Sequence, residues 1–195
     1  MNDYSTYRDK ELLPLLREPK PASDYAFFEI YQRHSKKLNA YCMYRIFDPE
    51  SIKDIIQDTW FEFVLSVRKG FIINNIQSYL LAIARNIIGK YQLHNQRKST
   101  MFINKDGAFL DGLSFNMNLQ QEIENNEKVS IVKLAVSSLD EPYREVFILK
   151  KINELTYQEI AGLTGDSVDS IRRIFSKALL MMNDLLKSYY EEIKN

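Results

Sequence analysis

The sequence predicts an all-α fold, built as two small helical domains, residues 1–96 and 119–195, joined by a linker over residues 97–118. Three observations carry that reading. Apolar residues recur at the helical spacing in several long segments. No stretch sustains the period-two alternation of a half-buried strand. Residues 97–118 (RKSTMFINKDGAFLDGLSFNMN) lose periodicity and collect Asn, Asp, Gly and Ser. With 195 residues, 45% apolar and 27% charged, the chain has an ordinary globular composition and enough length for two small domains.

Phe27, Ile30, Tyr31, His34, Leu38, Tyr41 and Ile46 outline a first long helix, with Asp24 standing where an N-cap belongs. A break at Asp48-Pro49 precedes a second helix, outlined by Ile52, Ile55, Ile56, Phe63 and Val67 and ended by Gly70. Leu80, Ile83, Ala84, Ile87, Ile88 and Tyr91 outline a third, with Ser78 as its expected cap. In the second half, helices are expected near 120–137, 141–151, 156–163 and 167–188. Pro142 falls in the first turn of its helix, where a missing N–H is tolerated.

Composition excludes several function classes. A single cysteine, Cys42, makes no internal disulfide, and with only His34 and His94 there is no zinc set. No Ser/His/Asp set or phosphate-binding glycine loop is present, so neither an enzyme nor a cofactor is expected. No apolar run approaches the roughly 20 residues that span a bilayer, and the first 21 residues carry charges instead of a signal-peptide pattern. A cytoplasmic protein without membrane insertion is expected.

The net charge is zero, from 26 basic and 26 acidic residues, yet the distribution is uneven. Residues 63–105 contain no acid and hold Arg68, Lys69, Arg85, Lys90, Arg97, Lys98 and Lys105, interleaved with Phe71, Tyr79 and Tyr91. Acids cluster on either side, at Asp48, Glu50, Asp54, Asp58 and Glu62 before and at Glu122, Glu124 and Glu127 after. Such a split steers ligands by local field, although charges balanced across a solvated surface would look the same.

"TYQEIAGLTGDSVDSIRRIFSKAL" (156–179) reads as two short helices around a glycine. Thr156-Tyr157-Gln158-Glu159 is a capping box that fixes a helix start. Gly165 breaks the chain and Ser167 can cap the next helix, whose stripe is Val168, Ile171, Phe175, Ala178, Met182 and Leu185. Opposite stand Ser170, Arg172, Arg173, Ser176 and Lys177. A helix-turn-helix of this form can set its second helix in a DNA major groove; an antiparallel hairpin with solvated Arg and Lys has the same pattern.

Three segments, "SIKDIIQDTWFEFV" (51–64), "NIQSYLLAIARNIIGKY" (75–91) and "LDEPYREVFILKKINELTYQEIAGLTGDSVDSIRRIFSKAL" (139–179), resemble in order region 2.2, regions 2.3 and 2.4, and region 4 of the extracytoplasmic-function sigma factors, a group of the sigma-70 family. The resemblance spans about residues 5–188 and implies a region 2 bundle and a region 4 helix-turn-helix. It implies binding of core RNA polymerase, through the beta-prime clamp helices and the beta flap, and of promoter DNA, with an anti-sigma factor as a further partner. By it, Asp54, Gln57, Asp58 and Phe61 would face polymerase. Lys69, Phe71, Asn74 and Asn75 would hold a flipped base of the minus-ten element, and Tyr79, Arg85, Asn86, Lys90 and Tyr91 would line the melted strand. The three aromatics fit a core role equally. Ser167, Ser170, Arg172, Arg173, Ser176 and Lys177 would meet the minus-thirty-five element. The chain departs from the family pattern where Ile174 and Leu179 occupy positions that are commonly basic, and where Lys90 replaces a commonly acidic one. Residues 131–195 hold nine basic and ten acidic side chains, which implies weak duplex contact outside the polymerase complex. A sigma-like regulator without promoter recognition, or an operator-binding repressor, would be the alternatives.

Overall fold

The computed structural model describes residues 4–103 and 127–194. Helices α1 (Asp9–Leu15), α2 (Ala22–Arg45), α3 (Pro49–Arg68) and α4 (Ile76–Ile103) form the first half. Helices α5 (Glu127–Ser137), α6 (Tyr143–Phe147), α7 (Tyr157–Thr164) and α8 (Val168–Lys194) form the second, with a π-helical turn at Ile148–Ile152 after α6. Among the described residues there is no strand, and no helix long and apolar enough to cross a membrane. The all-α prediction holds.

Local chemistry explains most helix starts. Asp48 caps α3 by accepting from the Ser51 amide at 2.8 Å, with Pro49 preset for the first turn. Two expected caps are corrected. Helix α2 begins at Ala22, so Asp24 lies in its first turn, where it complements the helix dipole. Helix α4 begins at Ile76, and the side chain of Asn75 accepts from the Ser78 amide at 2.9 Å, so Asn75 is the cap and Ser78 sits inside. Helix α4 also continues past residue 96 to Ile103. The remainder of the expected linker, and the start of the helix expected from 120, lie outside the described residues.

The first half packs the two long helices α3 and α4 against α2. Leu38 and Tyr41 of α2, Ile55, Phe63 and Val67 of α3, and Leu80, Leu81, Ala84 and Ile88 of α4 are buried together. Trp60 meets Phe27 edge-on at 5.6 Å and Phe63 at 5.8 Å between centroids, a favoured aromatic geometry. Helix α1 is tied on through Asp9, which accepts from Arg33 at 3.0 Å and lies 2.7 Å from His34 Nε2. Arg17 Nε donates to the Val67 carbonyl at 2.8 Å, satisfying an end group of α3.

The second half has its own stripe. Ile160 of α7 packs with Ile171, Phe175, Ala178 and Met182 of α8, one side of a strongly amphipathic helix. Gly165 ends α7 at φ 84°, the left-handed conformation that glycine adopts without steric cost.

Candidate functional site

Three surfaces carry the residues singled out from sequence. On α3, the helical period sends Ile55, Thr59, Trp60 and Phe63 inward and leaves Asp54, Gln57, Asp58 and Phe61 on the outside. All four are solvent-exposed, and Phe61 is 62% exposed, a large apolar ring among acids.

The second surface is the turn after α3 and the outer side of α4. Gly70 reverses the chain at φ 90°, and buried Ile73 and Ile76 anchor the segment leading into α4. Just before Ile73, Phe71 is 57% and Ile72 90% exposed, while Lys69 and Asn74 are exposed to solvent. Ile72 had no sequence signal beyond its place beside Phe71. Asn75 caps α4 and donates from Nδ2 to Glu159 Oε1 at 2.9 Å. The aromatics left open by the sequence separate. Tyr79 lies half-buried with its ring 6.4 Å from Phe63, and half-buried Tyr91 accepts from Ser51 Oγ at 2.9 Å. Phe71 is the one of the three at the surface.

Arg85, Asn86 and Lys90 line a cavity of about 680 Å³ whose opposite wall includes Glu141, Glu145 and Asp166. Glu145, 5% exposed, accepts from Tyr41 Oη at 2.7 Å and pairs with Arg45 at 3.0 Å and with Arg85 at 3.5 Å. Arg45 also bonds Glu141. Burial alone lowers the basicity of Arg45, but Glu145, Tyr41 and Glu141 outweigh it and hold the guanidinium more basic than usual. Burial and the neighbouring Glu145 push the Tyr41 phenol well above its ordinary range. This buried polar cluster was missed from sequence. Its only signal was a glutamate followed directly by the apolar run Val146 to Leu149.

The third surface is the helix-turn-helix. Both arms of the Thr156 capping box form: Glu159 N donates to Thr156 Oγ1 at 3.2 Å, and Thr156 N donates to Glu159 Oε2 at 2.8 Å. Ser167 caps α8 by accepting from the Ser170 amide at 3.2 Å. With Ile171 and Phe175 inward, Arg172, Arg173, Ser176 and Lys177 are exposed and Ser170 is half-buried. Arg172 pairs with Asp169 at 3.1 Å and lies 5.7 Å over the Tyr157 ring, and Lys177 lies 5.1 Å over Tyr143. Arg173 makes no ion pair among the described residues. Ile174 is half-buried against the core, whereas Leu179 is exposed. No cluster of His, Cys, Asp or Glu among the described residues could hold a metal ion.

A capped helix-turn-helix with Arg172, Arg173 and Lys177 exposed on its second helix, carried behind a helical bundle, is the arrangement of a DNA-binding protein. Residues 130–182 match the family described as Sigma-70, region 4. The chain is 23% identical over 167 residues to the RNA polymerase sigma factor YlaC of Bacillus subtilis (strain 168), covering 84% of this chain and 94% of that protein. Among solved structures it resembles the sigma factor RpoE in complex with the anti-sigma factor NepR from Bartonella quintana, at 19% identity and TM-score 0.64, covering 83% of this chain and 96% of that one. It also resembles CnrH in complex with the cytosolic domain of CnrY, at 18% identity and TM-score 0.66, covering 92% and 97%. The chain is thus similar over most of its length to an RNA polymerase sigma factor, and its residues 130–182 match sigma-70 region 4.

Proposed function

We propose that this sigma factor binds core RNA polymerase through the outer face of α3, holds the melted minus-ten strand along the 69–75 turn and α4, and docks the start of α8 on the minus-thirty-five duplex. The observation that carries the reading is the separate solvent exposure of the first and third sets, Asp54, Gln57, Asp58 and Phe61 on one face and Arg172, Arg173, Ser176 and Lys177 on another. One chain can then hold polymerase and duplex at once. In the strand site, exposed Phe71, Lys69 and Asn74 offer stacking, charge and amide groups to an extruded base, the combination by which single strands are bound.

An anti-sigma factor is the third partner of the reading, supported by the fold shared with RpoE, which was solved bound to one. Such a partner would keep the factor from polymerase until a signal releases it, in the cytoplasm.

Run-off transcription with core polymerase over a library of genomic fragments tests the function. The holoenzyme is expected to start at a set of sites sharing upstream motifs. Polymerase binding without any specific start would overturn promoter recognition and leave a sigma-like regulator.

A further inference from the structure

Glu145 stands on α6 in the second half, but the groups that hold it come from the first: Tyr41 and Arg45 of α2 and Arg85 of α4. Four further contacts cross the same seam. Asn75 Nδ2 donates to Glu159 Oε1 at 2.9 Å, and Gln77 Nε2 donates to the Asn153 carbonyl at 2.7 Å. Asn153 Nδ2 donates to the Lys37 carbonyl at 2.8 Å, and Lys37 pairs with Glu154 at 2.8 Å.

Two residues assigned to the melted strand are therefore already engaged by acids of the second half, Asn75 by a hydrogen bond to Glu159 and Arg85 by an ion pair with Glu145. Asn86 and Lys90 line the cavity that Glu141 and Asp166 close from the far side. A carboxylate offers a guanidinium the same charge-assisted bonds that a phosphate does. We propose that Glu145 is an internal latch that holds the two halves closed over the strand-binding side of α4, occupying Arg85 in the place of a nucleic-acid phosphate. The inference rests on the assignment of α4 to the melted strand.

The arrangement suits a latch. The carboxylate is buried with Arg45, so removing it leaves that guanidinium with only the half-exposed Glu141 as its anion, which is more costly than breaking an exposed pair. While the latch is closed, the apparent affinity for a strand is lowered by the fraction of molecules that are open.

The test uses the full chain with spin labels on cysteines introduced at exposed Lys53 of α3 and Asp184 of α8. Buried Cys42 stays unlabelled. Distances between labels are read by double electron–electron resonance, and binding by anisotropy of a fluorescein-labelled, thymine-rich single-stranded oligonucleotide. The unmodified seam should give one narrow distance distribution. Glu145→Gln should broaden it toward longer distances and tighten oligonucleotide binding by about tenfold, the inverse of the open fraction in a chain that is mostly closed. Tyr41→Phe, which keeps the ring that fills the core, should move both readouts the same way by less, and it serves if Glu145→Gln loses helical content. An unchanged distance distribution in both variants overturns the latch, whatever the oligonucleotide does. Longer distances with unchanged oligonucleotide binding leave the latch standing and overturn the assignment of α4 to the strand.

Discussion

Replacing Thr156 by Ala removes one acceptor from the start of α7, a helix of only eight residues whose first amides have no partner of their own. Two bonds of the hydroxyl are lost, from Glu159 N at 3.2 Å and to Glu159 Oε2 at 2.8 Å, but both are near solvent, so the loss belongs in the lower half of the range for such caps, about 0.5–1 kcal/mol. Glu159→Ala should cost more, because its carboxylate accepts from the Thr156 amide and hydroxyl, each at 2.8 Å, and from Asn75 at 2.9 Å. Charge-assisted bonds contribute about 1.5–3 kcal/mol when buried, and solvent screening here brings the cost down to about 1–2 kcal/mol. The two residues form one box, so the double variant should fall short of the sum by about 0.5 kcal/mol. For a chain of this size about 2–4 °C of melting temperature corresponds to each kcal/mol. Thermal unfolding followed by circular dichroism should thus rank Thr156→Ala above Glu159→Ala in stability, with the double variant close below Glu159→Ala. Equal melting temperatures for all four proteins, or strict additivity, would refute the reciprocal cap as what fixes the start of α7.

Replacing Asp54, Gln57 and Asp58 together by Ala should weaken capture of core polymerase while leaving the melting temperature unchanged, since all three are exposed and lie outside the core; equal capture in a pull-down would remove α3 from that role. Arg173→Ala should change which upstream sequence is preferred, by about 1–3 kcal/mol of discrimination at one position, while Lys177→Ala should weaken all sequences alike, as promoter-library transcription would show. Arg172→Ala should change preference less, because its guanidinium is already engaged by Asp169 and Tyr157. Burial pushes the Cys42 thiol up to about 12, so at neutral pH it is protonated and unreactive; a thiol reagent should label it only after denaturant is added. Arg8 holds the Glu11 carboxyl down to about 2, so the pairing contributes above the ordinary carboxyl range and is lost as pH falls toward 2, which an NMR titration of that carboxyl would track.

What was legible in the sequence was what repeats with the helical period. The stripes of α3 and α8 were read correctly because each buries one side and wets the other, so periodicity alone reports burial. The capping box at Thr156 and the stop at Gly165 were legible because each is a local hydrogen-bond or dihedral requirement met by neighbours in sequence. Asp24 and Ser78 were misassigned as caps because several polar residues lay within one turn of the helix start, and only packing selects among them. Whether Tyr79 and Tyr91 served the core or the surface was not legible, since an aromatic side chain suits both. The Glu145 cluster was hidden for a different reason. Its partners lie about a hundred positions away, and nothing in a local pattern couples Tyr41 and Arg45 to a glutamate on another helix.

The turn at Ile148–Ile152 takes in one residue more than an α-helical turn would, with the Asn153 amide reaching back five positions to the Ile148 carbonyl at 3.0 Å. Each added residue rotates everything downstream by about 100° around the helix axis. That phase shift brings fully buried Asn153, and not its neighbour Lys151, to the inner side of the chain. Deleting exposed Lys151 would let the segment relax into an ordinary helix. It would also turn α7 and α8 as a body about the axis of α6. The width of one turn therefore acts as an angular setting for the whole helix-turn-helix.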